Sequence, residues 1–269
     1  MSSMHTSHEP SYLHAYVAEG VATFFINFVI QNSHRLANGI FAMAGTYFVA
    51  VYISIQISGA HLNGAVTITT FLLDLYKNKR EPTRKYYMYA VSQIIGGTLA
   101  GLVTMTYAGS DALVELEYAK GTNSSAAFLL ELIYTTLLCL VMCAANDNNY
   151  HLNDPALVGL LMAGVIFMAH ATIGNRTGGV INPSNALSLV LSRLIATRDV
   201  NEIHKCMKYI LSSCSGAYGA FLIYKIFMYP VYEELRRRRK ASRESEYEAF
   251  PRRFDISYQP PTLHLRETH

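Results

Sequence analysis

Two asparagines, Asn63 and Asn182, each directly precede a short apolar segment. These segments, about 64–76 and 183–195, are too short to cross roughly 30 Å of hydrocarbon alone. An asparagine caps a helix with its side-chain oxygen and keeps an NH2 group that can donate to water. Two helix N-termini that meet in a membrane create a positive potential, which attracts the oxygen of water and repels cations. The alternative is that both residues only cap helices of a closed bundle.

Two carboxylates, Glu19 and Glu131, lie within long apolar stretches, where an unpaired charge is costly. A threonine follows each of them four residues later, at Thr23 and Thr135. This pair and the Asn-led segment occur once in each half of the chain and in the same order, which indicates an internal repeat. The recurrence favours a structural role for the carboxylates over a proton relay.

Six apolar stretches are long enough to position these residues as membrane-spanning helices. They cover about 12–31, 39–57, 86–108, 126–145, 155–173 and 207–229. Three spans in each half invert the second copy, so the two short segments enter from opposite faces. The sequence therefore predicts an all-α membrane protein with six transmembrane helices plus two re-entrant half-helices in an inverted repeat.

Composition agrees with a chain whose environment is the lipid bilayer. Hydrophobic residues make up 51% of the chain and charged residues only 15%, whereas a soluble domain has nearer 25% charged residues. The net charge of +3 and the placement of the basic residues do not suggest a nucleic-acid partner. The cysteines lie in or beside apolar stretches, and no His/Cys/carboxylate group has metal-ligand spacing. We therefore expect no metal, no cofactor and no enzymatic activity.

Basic residues define the expected orientation of the chain. Clusters within 77–85 and 236–240 fall on one side, which we take as cytoplasmic together with both termini. We expect an N-terminal tail at 1–11, a membrane domain at 12–232 with repeats at about 12–108 and 126–229, and a disordered basic tail at 233–269. The basic run before Ser242 is either a kinase recognition sequence or an attraction site for anionic lipid. The host membrane is either the plasma membrane or an internal one.

The motifs around the two asparagines resemble those of the aquaporin, or major intrinsic protein, family. Residues 58–67 read SGAHLNGAVT and differ at one position from the family pattern SGAHLNPAVT, and residues 177–183 read TGGVINP. Gln93, Gly96 and the two Glu-x-x-x-Thr pairs are similar to the family as well. The resemblance covers residues about 15–229 and implies an aquaporin-like channel domain, one pore per chain, and a homotetramer.

The same resemblance assigns roles to three sets of residues. The pore motifs are Asn63, Gly64 and Ala65 in the first half and Asn182, Pro183 and Ser184 in the second. The outer selectivity filter is formed by Met43, His170, Gly179 and Asn185. The re-entrant loops are braced by Glu19, Thr23, Glu131 and Thr135, and His61 lines or braces the inner vestibule.

Three residues depart from the family pattern. Gly64 replaces a proline and Ser184 replaces an alanine. Asn185 stands where the family has an arginine, so the outer filter loses a bidentate cationic donor and much of its barrier to cations. We therefore expect a wider filter that passes water and small uncharged solutes such as glycerol, urea, ammonia or hydrogen peroxide.

Two alternatives stay open at this point. Arg176 either replaces the missing filter charge or contacts lipid headgroups at the surface. The alternative function for the whole chain is that of a non-conducting structural or complex-associated membrane protein, which the lost arginine and the lost proline motivate.

Overall fold

The helices of the chain follow the predicted apolar stretches closely. The computed structural model describes residues 12–79, 81–146 and 154–249. Within them, the helices are α1 (Leu13–Ser33), α2 (Gly39–Ser58), α3 (Gly64–Tyr76), α4 (Thr83–Ala108), α5 (Ser124–Ala145), α6 (Pro155–Thr177), α7 (Pro183–Thr197), α8 (Asn201–Ile223) and α9 (Tyr229–Ala249). A short 3-10 turn covers Ser110–Ala112, and a π-helical turn at Tyr224–Met228 joins α8 to α9.

Six helical segments are long and apolar enough to cross a membrane: α1, α2, α4, α5, α6 and the α8–α9 segment. The helices α3 and α7 have only 13 and 15 residues and begin directly after the two asparagines. A helix of this length rises about 20 Å, which is less than the hydrocarbon thickness. The predicted fold of six spans and two half-helices is therefore confirmed.

The two repeats are built on equivalent helix contacts, in which α1 packs on α4 and α5 packs on α8. A Cβ at Gly96 of α4 would lie 2.0 Å from the carbonyl oxygen of Gly20 in α1. In the second repeat, a Cβ at Gly216 of α8 would lie 2.8 Å from the carbonyl oxygen of Leu132 in α5. Glycine is thus required on α4 and α8 because the helix backbones approach within contact distance.

The half-helices connect the two repeats. The helix α3 packs on α5 and α8 of the second repeat, and α7 packs on α4 of the first. Each half-helix is therefore held by the opposite repeat, and the N-termini of α3 and α7 meet in the middle of the bundle.

The C-terminal segment differs from the prediction. Helix α9 continues to Ala249, so the disorder expected from residue 233 does not hold for residues 233–249. Tyr224 and Tyr232 bury their rings against Leu73 and Cys143, which fixes the start of the helix. Charged side chains one turn apart then pair along it, as at Glu233 with Arg236, Glu234 with Arg238 and Lys240 with Glu244. The predicted tail at 1–11 and residues 250–269 lie outside the described residues.

The close contact at Gly96 leads to a stability prediction. Gly96→Ala should lower the free energy of unfolding by about 3 kcal/mol, because the new methyl group overlaps the α1 backbone. The matched change Gly45→Ala should leave stability unchanged or raise it, since a Cβ at Gly45 meets no atom within 4 Å. Thermal unfolding of the two purified variants in the same detergent checks this, and equal transition temperatures would contradict it.

Candidate pore site

Glu19 of α1 holds the loop that leads into α3. Its carboxylate accepts hydrogen bonds from the backbone N–H groups of His61 at 2.9 Å and Leu62 at 2.7 Å. Ser58 Oγ and Gln93 Nε2 donate to the same carboxylate at 2.6 Å and 2.8 Å. Because Glu19 is fully buried, these donors replace the stabilisation that its charge would receive from water.

Glu131 of α5 holds the loop before α7 in the same way. It accepts hydrogen bonds from the backbone N–H groups of Val180 at 3.1 Å and Ile181 at 2.7 Å. Thr177 Oγ1 donates to it at 2.6 Å, as Ser58 does to the carboxylate of the first repeat. The two loops are thus fixed by one hydrogen-bond pattern used twice.

The backbone of both loops is irregular and strained. Gly59 and Gly178 end α2 and α6 in the left-handed conformation, with φ of 86° and 90°. Leu62 and Ile181, which directly precede the motif asparagines, have φ of 51° and 39°. Side chains of this kind rarely adopt positive φ, and such strain persists only when the surroundings impose it. The glutamates bond to the N–H groups of these two residues, so they supply that constraint.

The threonines of the Glu-x-x-x-Thr pairs do not brace the loops. The Thr23 hydroxyl is buried without a hydrogen-bond partner in the described part of the chain. The Thr135 hydroxyl donates to the Glu131 carbonyl within its own helix. The loop-bracing hydroxyls are Ser58 and Thr177 instead. Sequence reasoning missed them, although each lies five residues before a motif asparagine and directly before a glycine.

His61 lies among aromatic side chains of α4. Its Nδ1 is 3.2 Å from Thr67 Oγ1, and its ring contacts Tyr89 edge-on at 4.9 Å between centroids. Tyr89 in turn donates a hydrogen bond to the Ser58 carbonyl at 2.8 Å. These contacts are those of a residue that braces the loop.

Asn63 and Asn182 lie head to head where α3 and α7 meet. Each Oδ1 accepts a hydrogen bond from the first turn of its own helix, at 2.8 Å and 2.9 Å. Each Nδ2 donates across the repeat: Asn63 to the Ile181 carbonyl at 3.0 Å, and Asn182 to the Leu62 carbonyl at 3.2 Å. An NH2 group has two hydrogens, so one N–H of each amide is left for the cavity that both residues line.

The unusual residues of the two motifs pack against one another. Ser184 Oγ donates to Gln93 Oε1 at 2.9 Å. A Cβ at position 64 would lie 2.6 Å from Ser184 Oγ and 2.9 Å from Pro183 Cγ, so Gly64 makes room for the serine. The Gly64 N–H also donates to Asn182 Oδ1 at 3.2 Å, a bond that proline could not form. The two departures from the family pattern are therefore coupled.

A cavity of about 890 Å³ leads from the segment between α4 and α5 down to both motif asparagines. All four predicted filter positions line it: Met43, His170, Gly179 and Asn185. His170 Nδ1 bonds the Ile166 carbonyl at 2.9 Å, so this nitrogen carries the proton and Nε2 is the ring atom left to accept. The structure thus places the two motif asparagines and the four predicted filter residues around one cavity, whereas Gly64, Ala65, Pro183 and Ser184 are not among its lining residues.

Tyr47 is a further lining residue that the sequence did not reveal. It lies one helical turn after Met43, on the same face of α2, and therefore deeper in the cavity. Its hydroxyl lies beside the Asn63 side chain. The i+4 spacing from Met43 is the signal that could have found it.

Charged residues surround the wide end of the cavity. Arg176 lines this part and is exposed, and its carbonyl accepts a hydrogen bond from the Ala119 N–H at 2.9 Å. Glu115 lies on the same rim, where Lys205 and Arg193 pair with it. The hydrogen bond from the Lys205 ammonium lowers the pKa of the Glu115 carboxyl from its usual value. The rim therefore combines charges of both signs.

Comparison with known proteins shows the family to which this arrangement of motifs and helices belongs. Residues 6–224 match the model of the family described as major intrinsic protein. Nodulin-26 of Glycine max is 28% identical over 229 residues, which cover 81% of this chain and 79% of that protein. A probable aquaporin AqpM of Archaeoglobus fulgidus is 32% identical over 190 residues, with coverage of 68% and 73%.

Two further similarities differ in what they cover. Aquaglyceroporin-4 of Botryotinia fuckeliana is 30% identical over 197 residues, which are 65% of this chain but only 26% of that much longer protein. The X-ray structure of the aquaglyceroporin from Plasmodium falciparum superposes with a TM-score of 0.72 at 22% identity. It covers 83% of this chain and 99% of that one, and it supports the fold alone.

The bracing scheme predicts opposite outcomes for two neighbouring residues of α1. Glu19→Gln should destabilise the protein by about 3 kcal/mol, because an NH2 group would then face buried N–H and O–H donors. Thr23→Val should have little effect, since the Thr23 hydroxyl has no partner to lose. Thermal unfolding in detergent distinguishes the two, and a larger loss from Thr23→Val would refute the assignment.

The packing behind the motifs predicts a non-additive pair. Gly64→Ala should cost about 2 kcal/mol through overlap with Ser184 Oγ, and Ser184→Ala about 1 kcal/mol through the unpaired Gln93 oxygen. The double variant should be more stable than the sum of the two losses by about 1 kcal/mol. Unfolding midpoints of the four proteins measure this coupling, and strict additivity would show that residues 64 and 184 do not restrict each other.

Proposed function

The chain belongs to the major intrinsic protein family, and we propose that it is a passive membrane channel for water and small uncharged solutes. One observation carries the proposal: a continuous cavity reaches both motif asparagines and is lined by all four filter positions. In an integral multi-pass protein, irregular polar backbone at this depth is tolerated only where it lines a wet path or is buried in protein. The cavity supplies such a path from the segment between α4 and α5 to the two motif asparagines.

The chemistry of the motif supports passage of water rather than ions. The N-termini of α3 and α7 both point at the meeting of Asn63 and Asn182, so their dipoles add to a positive potential there. Each asparagine has one N–H left to donate. A water molecule binds there through its oxygen, whereas a cation is repelled by both the dipoles and the donors.

The filter residues support a preference for small neutral solutes. With asparagine at position 185 and glycine at position 179, the filter has neither the length nor the charge of an arginine. His170 offers an acceptor and Asn185 an amide to a solute that passes between them. Glycerol, urea, ammonia and hydrogen peroxide each carry both donors and acceptors, so the lining suits them as well as water.

The proposal extends to the surroundings of the channel. The chain would assemble as a homotetramer in the plasma membrane or an internal membrane, with both termini cytoplasmic. Arg176 would act at the rim of the vestibule or on lipid headgroups rather than in the filter, because its side chain is exposed. Ser242 lies exposed on α9, and the basic run before it would serve either as a kinase recognition sequence or as an attraction site for anionic lipid.

A second candidate function is that of a non-conducting membrane component, and Tyr47 is the observation that favours it. Its ring is 2% exposed and lines the cavity beyond Met43, so it narrows the path close to the motif. Tyr47→Leu would then raise water permeability from the level of empty liposomes, whereas in an open channel it would change permeability little.

The channel proposal predicts measurable flux through purified protein. Proteoliposomes should swell or shrink faster than empty liposomes in stopped-flow light scattering, with water fastest and glycerol and urea also above background. Met43→Trp should reduce water flux by about tenfold, because the larger ring fills the filter. Met43 makes none of the hydrogen bonds that hold the loops, so this variant leaves their bracing intact.

The matched control is Met207→Trp, since Met207 is 48% exposed on the outer surface of α8. This variant should conduct like the wild type. Equal loss in both variants would indicate damage to the protein rather than a blocked pore, and wild-type flux no greater than that of empty liposomes would favour the non-conducting candidate.

A further inference from the structure

Asn27 of α1 makes a direct contact with the filter position of α7. Its side chain is fully buried, and its Nδ2 donates to Asn185 Oδ1 at 2.9 Å and to the Thr23 carbonyl at 3.1 Å. The two asparagines are 158 positions apart in sequence, so this bond joins the two repeats beside the cavity. None of the sequence motifs includes Asn27.

The orientation of the Asn27 amide follows from its partners. The Thr23 carbonyl can only accept a hydrogen bond, so the NH2 group must face it and the oxygen must point away. That oxygen, Asn27 Oδ1, is buried and has no partner among the residues described. A buried acceptor without a partner costs stability, so a leucine would suit a purely structural role at this position better. The contact that Asn27 makes with Asn185 is what distinguishes it from such a leucine.

The neighbouring helix leaves space for this amide. A Cβ at Gly97 of α4 would lie 2.9 Å from Asn27 Nδ2 and 2.5 Å from Ser188 Oγ. Any larger residue at Gly97 would push Asn27 away from α7. The bond between Asn27 and Asn185 therefore depends on the space that Gly97 leaves on α4.

The bond also decides how Asn185 faces the cavity. Its Oδ1 is occupied by Asn27, and its backbone N–H donates to Asn182 Oδ1 at 3.2 Å. The Asn185 NH2 group forms no hydrogen bond with the described residues, and Asn185 lines the cavity. With the oxygen fixed on the α1 side, the NH2 group is the part that a passing solute can reach.

We propose that Asn27 is a positioning residue for selectivity, which fixes the Asn185 amide so that a neutral N–H donor points into the outer filter. The inference rests on the proposed channel function. The Asn185 amide thereby takes the place of the missing arginine, because it keeps a hydrogen-bond donor in the filter but carries no charge. Such a filter binds solutes through a carbonyl or hydroxyl oxygen, and urea is the solute in which this contact is strongest because its oxygen accepts several hydrogen bonds.

The test compares urea and water permeability in proteoliposomes of the wild type and two variants. In Asn27→Leu the Asn185 amide is free to rotate, so the ratio of urea to water permeability should fall about threefold to tenfold, the effect of one hydrogen bond. Asn185→Asp keeps an oxygen for Asn27 to donate to and presents only acceptors to the cavity, so the ratio should fall by a similar factor. The second variant serves if Asn27→Leu does not fold.

Two controls separate positioning from general damage. Thr23→Val removes a buried hydroxyl one turn away on the same helix and should leave the ratio unchanged. Asn27→Leu combined with Asn185→Leu should behave as Asn185→Leu alone, because no amide remains to be oriented.

The outcomes distinguish this proposal from the proposed function. Wild-type protein that passes no water overturns both. Wild-type protein that conducts water, with a urea-to-water ratio that Asn27→Leu and Asn185→Asp leave unchanged, overturns the role of Asn27 and leaves the channel intact. An equal effect of Asn27→Leu in the Asn185→Leu background also overturns it.

Discussion

The whole structure depends on satisfying irregular backbone in the middle of a membrane protein. Lipid offers no hydrogen-bond partner to an N–H group at that depth, so each one needs a partner within the protein or in a water-filled cavity. Glu19 and Glu131 meet this need, since each carboxylate accepts hydrogen bonds from the two residues before a motif asparagine. Buried charge is expensive, but here it is the group that holds Leu62 and Ile181 at positive φ. The positions of both half-helices, and with them the cavity, follow from these two side chains.

Each departure from the family pattern is accompanied by a matching contact elsewhere in the site. Gly64 accommodates Ser184 and donates a bond that proline could not, so the first two departures belong together. Asn185 is likewise accompanied by Asn27, whose NH2 group donates a hydrogen bond to Asn185 Oδ1. Gly64 and Asn185 are smaller than the proline and the arginine of the family pattern, and each forms a hydrogen bond to the opposite repeat. This pattern agrees better with an altered selectivity than with a degenerate, unused pore.

Much of this was predictable because hydrophobic length and motif spacing are strong signals. Apolar stretches predicted the first five spans to within four residues, and the Asn-led segments identified the half-helices. The sixth span, predicted at 207–229, begins at Asn201 and continues as a helix to Ala249. The hydroxyl partners of the glutamates were harder to predict. Thr23 and Thr135 have the regular spacing from the glutamates, but Ser58 and Thr177 donate the hydrogen bonds to them. Hydrogen bonds between distant helices, such as that of Asn27 with Asn185, leave no trace in local spacing. The helix after residue 229 was missed because its charged residues resemble a disordered tail, whereas tyrosine packing fixes its start.

The temperature dependence of osmotic water permeability in proteoliposomes distinguishes a conducting pore from leakage through lipid. Water in a channel of this kind exchanges one hydrogen bond for another and never enters hydrocarbon. A conducting pore should therefore show a shallow temperature dependence of water permeability, close to that of diffusion in liquid water. A steep dependence, equal to that of empty liposomes of the same lipid, would mean that water crosses only through the bilayer and would contradict a conducting pore.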